Sequence, residues 1–330
     1  MKKRLTRVLI TGMALAGLTT AGAISAEPAE AALTTHCVGE DSGVTVPGDL
    51  FVPRDEACAL DDTTIEGNVR IAPGADLVGQ DLTVNGRVVI QGDGYLDLVD
   101  SAIEGNIVNR GSFGVYLDAT NARAYTANAN VNPESFLWTY ETDFAGRIAA
   151  TGGSFLLESS FAHRYVQTTD TQYTDIVDSV VGGTLTVTGA ENGAMVCGSE
   201  IDGHATFAST GVGVQLGASG SLDECDLGPT VWGGNVLVSG TTGAVEVADN
   251  IIRGNLEGTG NDSVIAGDNR VRGDLKGQFA ETDEQSLMQL QRQAQPDPEA
   301  EAGRQKLEDL RTERLNSAEK LAEAAGPANL

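Results

Sequence analysis

Histidine, lysine and tryptophan are nearly missing from this 330-residue chain. It has three histidines and two tryptophans, and between residues 32 and 280 a single lysine, Lys276, stands beside ten arginines. With only His36, His163 and His204 available and no Cys-x-x-Cys, no zinc cluster is expected. No nucleophile motif lies near these histidines, which leaves seryl or cysteinyl catalysis without support. Long apolar runs are also missing: the one from Val8 to about Ala23 is short and rich in Gly and Thr, a poor membrane span. The scarcity of cations sets the charge, with 21 Lys+Arg against 47 Asp+Glu and a formal net charge of −26. Such a surface repels nucleic acid and anionic headgroups, so no nucleic-acid partner is expected.

Lys2, Lys3, Arg4 and Arg7 precede the apolar run, and small residues around Ala29-Glu30-Ala31 follow it. That order reads as a secretory signal peptide over residues 1–31, cleaved before Ala32. Its removal takes away four basic and two acidic residues, leaving 17 Lys+Arg, 45 Asp+Glu and a formal charge of −28. The mature protein is expected to be secreted, extracellular or at the cell surface, with no membrane span. All four cysteines lie in that mature part, where an even number favours disulfides.

What the chain has in plenty is one phrase. "DSAIEGNI" at 100 returns as "DSVVGGTL" at 178, "GSEIDGHA" at 198, "ADNIIRGNL" at 248 and "GDNRVRGDL" at 267. Aligned on its glycine, eleven positions fall into register: Gly67, Gly86, Gly105, Ala124, Gly146, His163, Gly183, Gly203, Gly234, Gly254 and Gly273. The position two before is apolar in every copy, including Phe144, Phe161 and Trp232; the position two after is apolar in all but one, where Thr126 stands. Alternation of this kind around a small residue is a strand signal. Four before the glycine, Ser, Thr or Asn recurs with Leu82 as the exception, and five before it the residue is acidic in eight copies. These are side chains that bond their own backbone in turns.

A unit of about 19 residues without helical period fits a stack of β-coils, with inward Ile, Val and Leu in ladders and glycines where coils crowd. The expected fold is all-β, a parallel β-helix of right-handed sense with about eleven coils over 60–280. Residues 32–59 are expected to cap its N-terminal end, and 281–330 to form a charged helical or partly disordered tail. The pairs Cys37–Cys58 and Cys197–Cys225 are each local, and the second falls near one corner of successive coils, so these two disulfides are expected. The repeat resembles right-handed β-helix proteins, the architecture of pectate-lyase-like enzymes, tailspikes and secreted adhesins. The phrases "IEGNVRIAPGADL" and "IEGNIVNRG" also resemble bactofilin repeats, which implies end-to-end self-association.

The middle coils depart from the pattern, with nine of the sixteen aromatics between Tyr125 and Tyr173. One reading is that these coils are wider and need larger core residues, Phe144 and Phe161 among them. The other is a surface that binds an acidic polysaccharide, with Arg123, Trp138, Tyr140, Arg147, His163 and Arg164 as ligand-binding candidates. An enzyme on this face would be a lyase or glycosidase using Arg147 or Arg164 as base and Glu141, Asp143 and Glu158 as acidic groups. No organic cofactor is expected. Asp62, Asp81 and Asp100, one per coil, offer a calcium site, against which stands their use as turn residues. The function expected is an exported, non-enzymatic β-helix with a structural, adhesive or surface-binding role, with surface or matrix polysaccharide and self-association as its partners. A polysaccharide-active enzyme is the alternative.

Overall fold

A computed structural model describes residues 33–128, 132, 134–281 and 298–330; the signal-peptide reading of 1–31 lies outside them. Among the described residues the chain forms a parallel β-solenoid of about 13 turns, followed by one C-terminal α-helix. Most turns contribute three strands, and in Ala102–Arg110 and Asn121–Ala127 the first two run together. Thr64–Ile65 begins a first face, Val69–Ile71 continues on a second, and Asp76–Gln80 forms a third; the next turn repeats them as Thr83–Val84, Val88–Gln91 and Tyr95–Val99. Every strand pairs in parallel with its counterparts one turn away. At about 4.8 Å per turn the stack is roughly 60 Å long. The turns beyond the eleven of the sequence alignment lie in 34–59, the stretch expected as a cap. Val46 pairs with Ile65 and Thr34–His36 pairs with Asp49–Phe51, so this stretch is itself coiled.

The interior is a set of apolar ladders. Ile65, Val84, Ile103, Ala122 and Phe144 stack on the first face, while Val69, Val88 and Ile107 stack on the second, all buried. Where the glycine column carries glycine, successive coils approach too closely for a side chain. A Cβ on Gly86 would lie 2.4 Å from the Gly67 carbonyl oxygen, and one on Gly105 would lie 2.3 Å from that of Gly86.

The acidic column has a backbone cause. Asp62, Asp81, Asp100, Asp178, Asp249 and Asp268 all have positive φ, between 42° and 54°, at the corner joining the third face to the first. Asp and Asn tolerate this left-handed conformation better than other side-chain-bearing residues. The residue that follows is Ser, Thr or Asn except at Leu82, and Ser101, Ser179 and Asn250 are buried and bond across coils. Ser101 Oγ donates to the Val99 carbonyl at 2.7 Å and accepts the Leu82 N–H at 3.0 Å. Ser160 Oγ donates to the Glu158 carbonyl at 2.6 Å and accepts the Thr142 N–H at 3.0 Å.

Two turns correct the sequence register. Phe144 pairs with Ala162 and Ile148 with Val166, so the inward residues are Ala162 and Val166, and Phe161 and Tyr165 are only partly buried. Arg164, not His163, therefore continues the glycine column, and Ser160, not Ser159, the hydroxyl column. The alignment placed the larger apolar residue inside, but Phe144 and Phe155 already fill these coils and the small Ala162 fits beside them. In the coil of Ala124 the register shifts by one between Ile103 and Asn106, which turns Tyr125 inward and leaves Thr126 outside. The Tyr125 hydroxyl accepts a 2.8 Å hydrogen bond from Asn109 Nδ2 within the core.

Both expected cysteine pairs are joined. Cys37 and Cys58 are 5.6 Å apart at Cα and wholly buried. Cys197 and Cys225 are 5.7 Å apart, but Cys225 lies on no stacked strand. It belongs to the insertion behind the 31-residue spacing from Gly203 to Gly234. Gln215 fastens that insertion, accepting the Leu222 and Asp223 N–H groups and donating to the Ala218 and Asp223 carbonyls.

Candidate functional site: the helix-covered third face

Period-two alternation sends every second residue of the third face outward. In the central outward column, successive turns place Ala59, Val78, Asp97, Tyr116, Trp138, Leu156, Asp175 and Met195. A flanking column carries Asp76, Tyr95, Gly114, then Phe136, Ser154 and Tyr173. Aromatic groups on an outer face call for a cover, and the chain supplies it.

Helix Pro298–Ala325 is rich in Ala, Glu, Leu, Lys and Arg, all strong helix formers, with Pro at its first position. It ends at Gly326, whose φ of +78° suits the left-handed residue after a helix. Leu307, Ala318 and Ala322 are buried against Ala57, Val78, Tyr95, Phe136, Trp138 and Tyr173. The chain then adds Pro327 beside Glu40, with the Ala328 N–H donating to the Glu40 carbonyl at 2.8 Å and the Glu40 N–H to the Gly326 carbonyl at 3.0 Å. The tail thus covers the edge of the first third-face strand, Gly39–Ser42.

Three arginines on this helix meet three outward carboxylates. Arg304 reaches Asp175 Oδ2 at 3.1 Å, Arg311 reaches Asp97 Oδ2 at 3.0 Å, and Arg314 reaches Asp76 Oδ1 at 2.8 Å. Asp97 Oδ2 also accepts the Tyr95 hydroxyl. The Arg311 guanidinium lies 3.3 Å over the Tyr116 ring and that of Arg304 lies 5.2 Å from Tyr173. Burial pushes the Asp76 carboxyl up to about 6 against the pull of Arg314. Burial likewise raises Asp97, against Tyr95 and Arg311, and Asp175, against Arg304. Clefts remain along the seam. One of about 600 Å³ lies by Asp97, Arg311 and Glu319, and one of about 260 Å³ lies by Trp138, Asp175 and Arg304.

The residues singled out in the sequence separate onto different surfaces. Trp138 and Tyr140 belong to the third face, beside the helix. Arg123, Arg147, His163 and Arg164 are exposed near the corner between the first and second faces. Glu141, with φ of 45°, occupies the corner between the third and first faces, and Glu158 ends a third-face strand, its carboxyl raised by burial and by Asp178. One pair does meet: His163 Nε2 lies 3.2 Å from Asp143 Oδ1, both about half exposed. Asp62, Asp81 and Asp100 stand exposed in the left-handed corner, and among the described residues no group of three His, Cys, Asp or Glu is arranged to hold a metal ion.

Sequence reasoning missed Asp76, Asp97, Asp175 and their arginines. The signal was there: Arg304, Arg311 and Arg314 are spaced by seven and three, one stripe of a helix. Among the described residues no helix is long and apolar enough to cross a membrane. No protein-family model, no curated protein and no solved structure matches this chain.

Proposed function

We propose that this protein is an exported, non-enzymatic β-solenoid with a structural, adhesive or surface-binding role outside the cell. One observation carries the reading: the outward carboxylates Asp76, Asp97 and Asp175 are each engaged by an arginine of the chain's own helix. A catalytic carboxylate must be free to exchange protons with a substrate, whereas these hold the tail in place. Two disulfides suit an oxidising compartment. Surface or matrix polysaccharide and further copies of the chain are the proposed partners. Kinship with pectate-lyase-like or bactofilin-like proteins belongs to the same proposal and is supported by the repeat phrases alone.

The alternative, a lyase or glycosidase on the 123–173 surface, draws on the His163–Asp143 contact and the nearby Arg123 and Arg164. Incubation of the protein with acidic and neutral polysaccharides, with and without calcium, distinguishes the two. The rod reading expects no product. Reproducible product that disappears in Arg164→Ala would contradict it.

A further inference from the structure

The smaller cleft between helix and sheet holds an unfinished set of polar groups. Its sheet side is formed by Trp138, Tyr140, Ser154, Leu156, Tyr173 and Asp175, and Arg304 lies at its helix side. Ser154 and Asp175 are only 4% and 7% exposed, yet Ser154 Oγ and Asp175 Oδ1 have no hydrogen-bond partner. Buried polar atoms in folded proteins are nearly always satisfied. Asp175 Oδ2 is already taken by Arg304, so what Oδ1 lacks is a donor.

Register fixes the spacing of the two orphans. Ser154 pairs with Tyr173, two residues before Asp175, so Ser154 and Asp175 are diagonal neighbours on adjacent turns. With strands about 4.8 Å apart and a rise of about 3.3 Å per residue, such neighbours are about 8 Å apart at the backbone, a span that leaves room for two hydroxyls of one ring between the side chains. The cleft, at about 260 Å³, falls just below the usual range of roughly 300–1,000 Å³ for drug-sized ligands, which limits the occupant to something small. Its charge narrows the chemistry further. Asp175 and Glu308 disfavour an anion, and Arg304, seated on Asp175 and over the Tyr173 ring, occupies the place an ammonium ion would take.

We propose that this cleft binds a neutral sugar ring, one hydroxyl donating to Asp175 Oδ1, another bonding Ser154 Oγ, and the apolar face of the ring against Trp138 and Tyr140. The proposal rests on the surface-binding reading and names the ligand class for it. It also parts from the acidic polysaccharide expected from sequence, because the exposed Arg123, Arg147 and Arg164 are not among the residues lining this cleft.

The full chain, titrated with methyl glycosides of neutral hexoses, with glucuronate and with tetramethylammonium, tests this by calorimetry and by tryptophan fluorescence, since Trp138 lines the cleft. A saturable response to at least one neutral glycoside is expected, with neither ion competing. Ser154→Ala should weaken that binding about five- to tenfold, the loss of one hydrogen bond, and leave the melting temperature unchanged, because the hydroxyl bonds nothing in the protein. Arg164→Ala should leave the affinity unchanged. No saturation by any neutral glycoside, preference for glucuronate or tetramethylammonium, or an affinity indifferent to Ser154→Ala would overturn the proposal. Silence in this titration without polysaccharide turnover would leave the rod reading standing, and turnover would contradict that reading without touching the cleft.

Discussion

Arg311 donates to Asp97 across 3.0 Å although 214 residues of chain separate them. The contact joins the end of the chain to one of its early coils, and both side chains are largely buried, at 13% and 5% exposure. A buried pair of this kind is costly to break from one side, because the remaining charge stays desolvated without its partner. Replacement of Arg311 by Ala should therefore destabilise the helix-docked state by about 3–5 kcal/mol. Urea unfolding checks this, and a double-mutant cycle with Asp97→Asn should recover part of the loss. Equal stability of Arg311→Ala and the parent protein would mean the pair is not formed.

Acidity should tighten the docking. The Asp76 carboxyl has a pKa near 6 beneath the helix and an ordinary carboxylate value, about 4, when exposed. A raised value in the docked state means that docking takes up a proton between these two values, so its contribution is fully present below the lower one and is lost as pH rises through 6. Thermal stability measured from pH 7.5 down to 4.5 should show this component increasing, and Asp76→Asn should remove it. A component that weakens on acidification would reverse the sign of the argument.

The corrected register makes two phenylalanines unequal. Phe144 is wholly buried in the first-face ladder and Phe161 is partly exposed beside His163, ring centroids 4.3 Å apart. Phe144→Ala should cost about 3–5 kcal/mol, and Phe161→Ala about 1 kcal/mol or less. Chemical denaturation of the two variants decides the register in that coil, since the reverse order would restore Phe161 to the interior.

The coiled architecture was legible because alternation around a glycine repeats in nearly every turn, and a local pattern multiplied many times outweighs single exceptions. Both cysteine pairs were legible from their proximity in sequence, 21 and 28 residues apart. The slip at Phe161 came from ranking residues by apolarity, when stacking beside Phe144 favours the smaller Ala162. The candidate site was hidden for a different reason. Alternation separates inward from outward positions, but it does not say that an outward face is covered. Tyr95, Trp138 and Asp175 could be assigned a partner only by setting the arginine stripe at 304, 311 and 314 against the outward carboxylates, two patterns more than a hundred residues apart in sequence.

Hydrogen exchange across the full chain tests the docked helix most directly. A charged helix free in water opens readily because its stability depends on packing, whereas one clamped to the rod exchanges only through undocking. Amides of residues 302–325 should be protected to a degree approaching the third-face strands around Asp97 and Asp175, and Arg311→Ala should speed their exchange while the strands stay protected. Rapid exchange of 302–325 in the parent protein, alongside protected strands, would contradict the account.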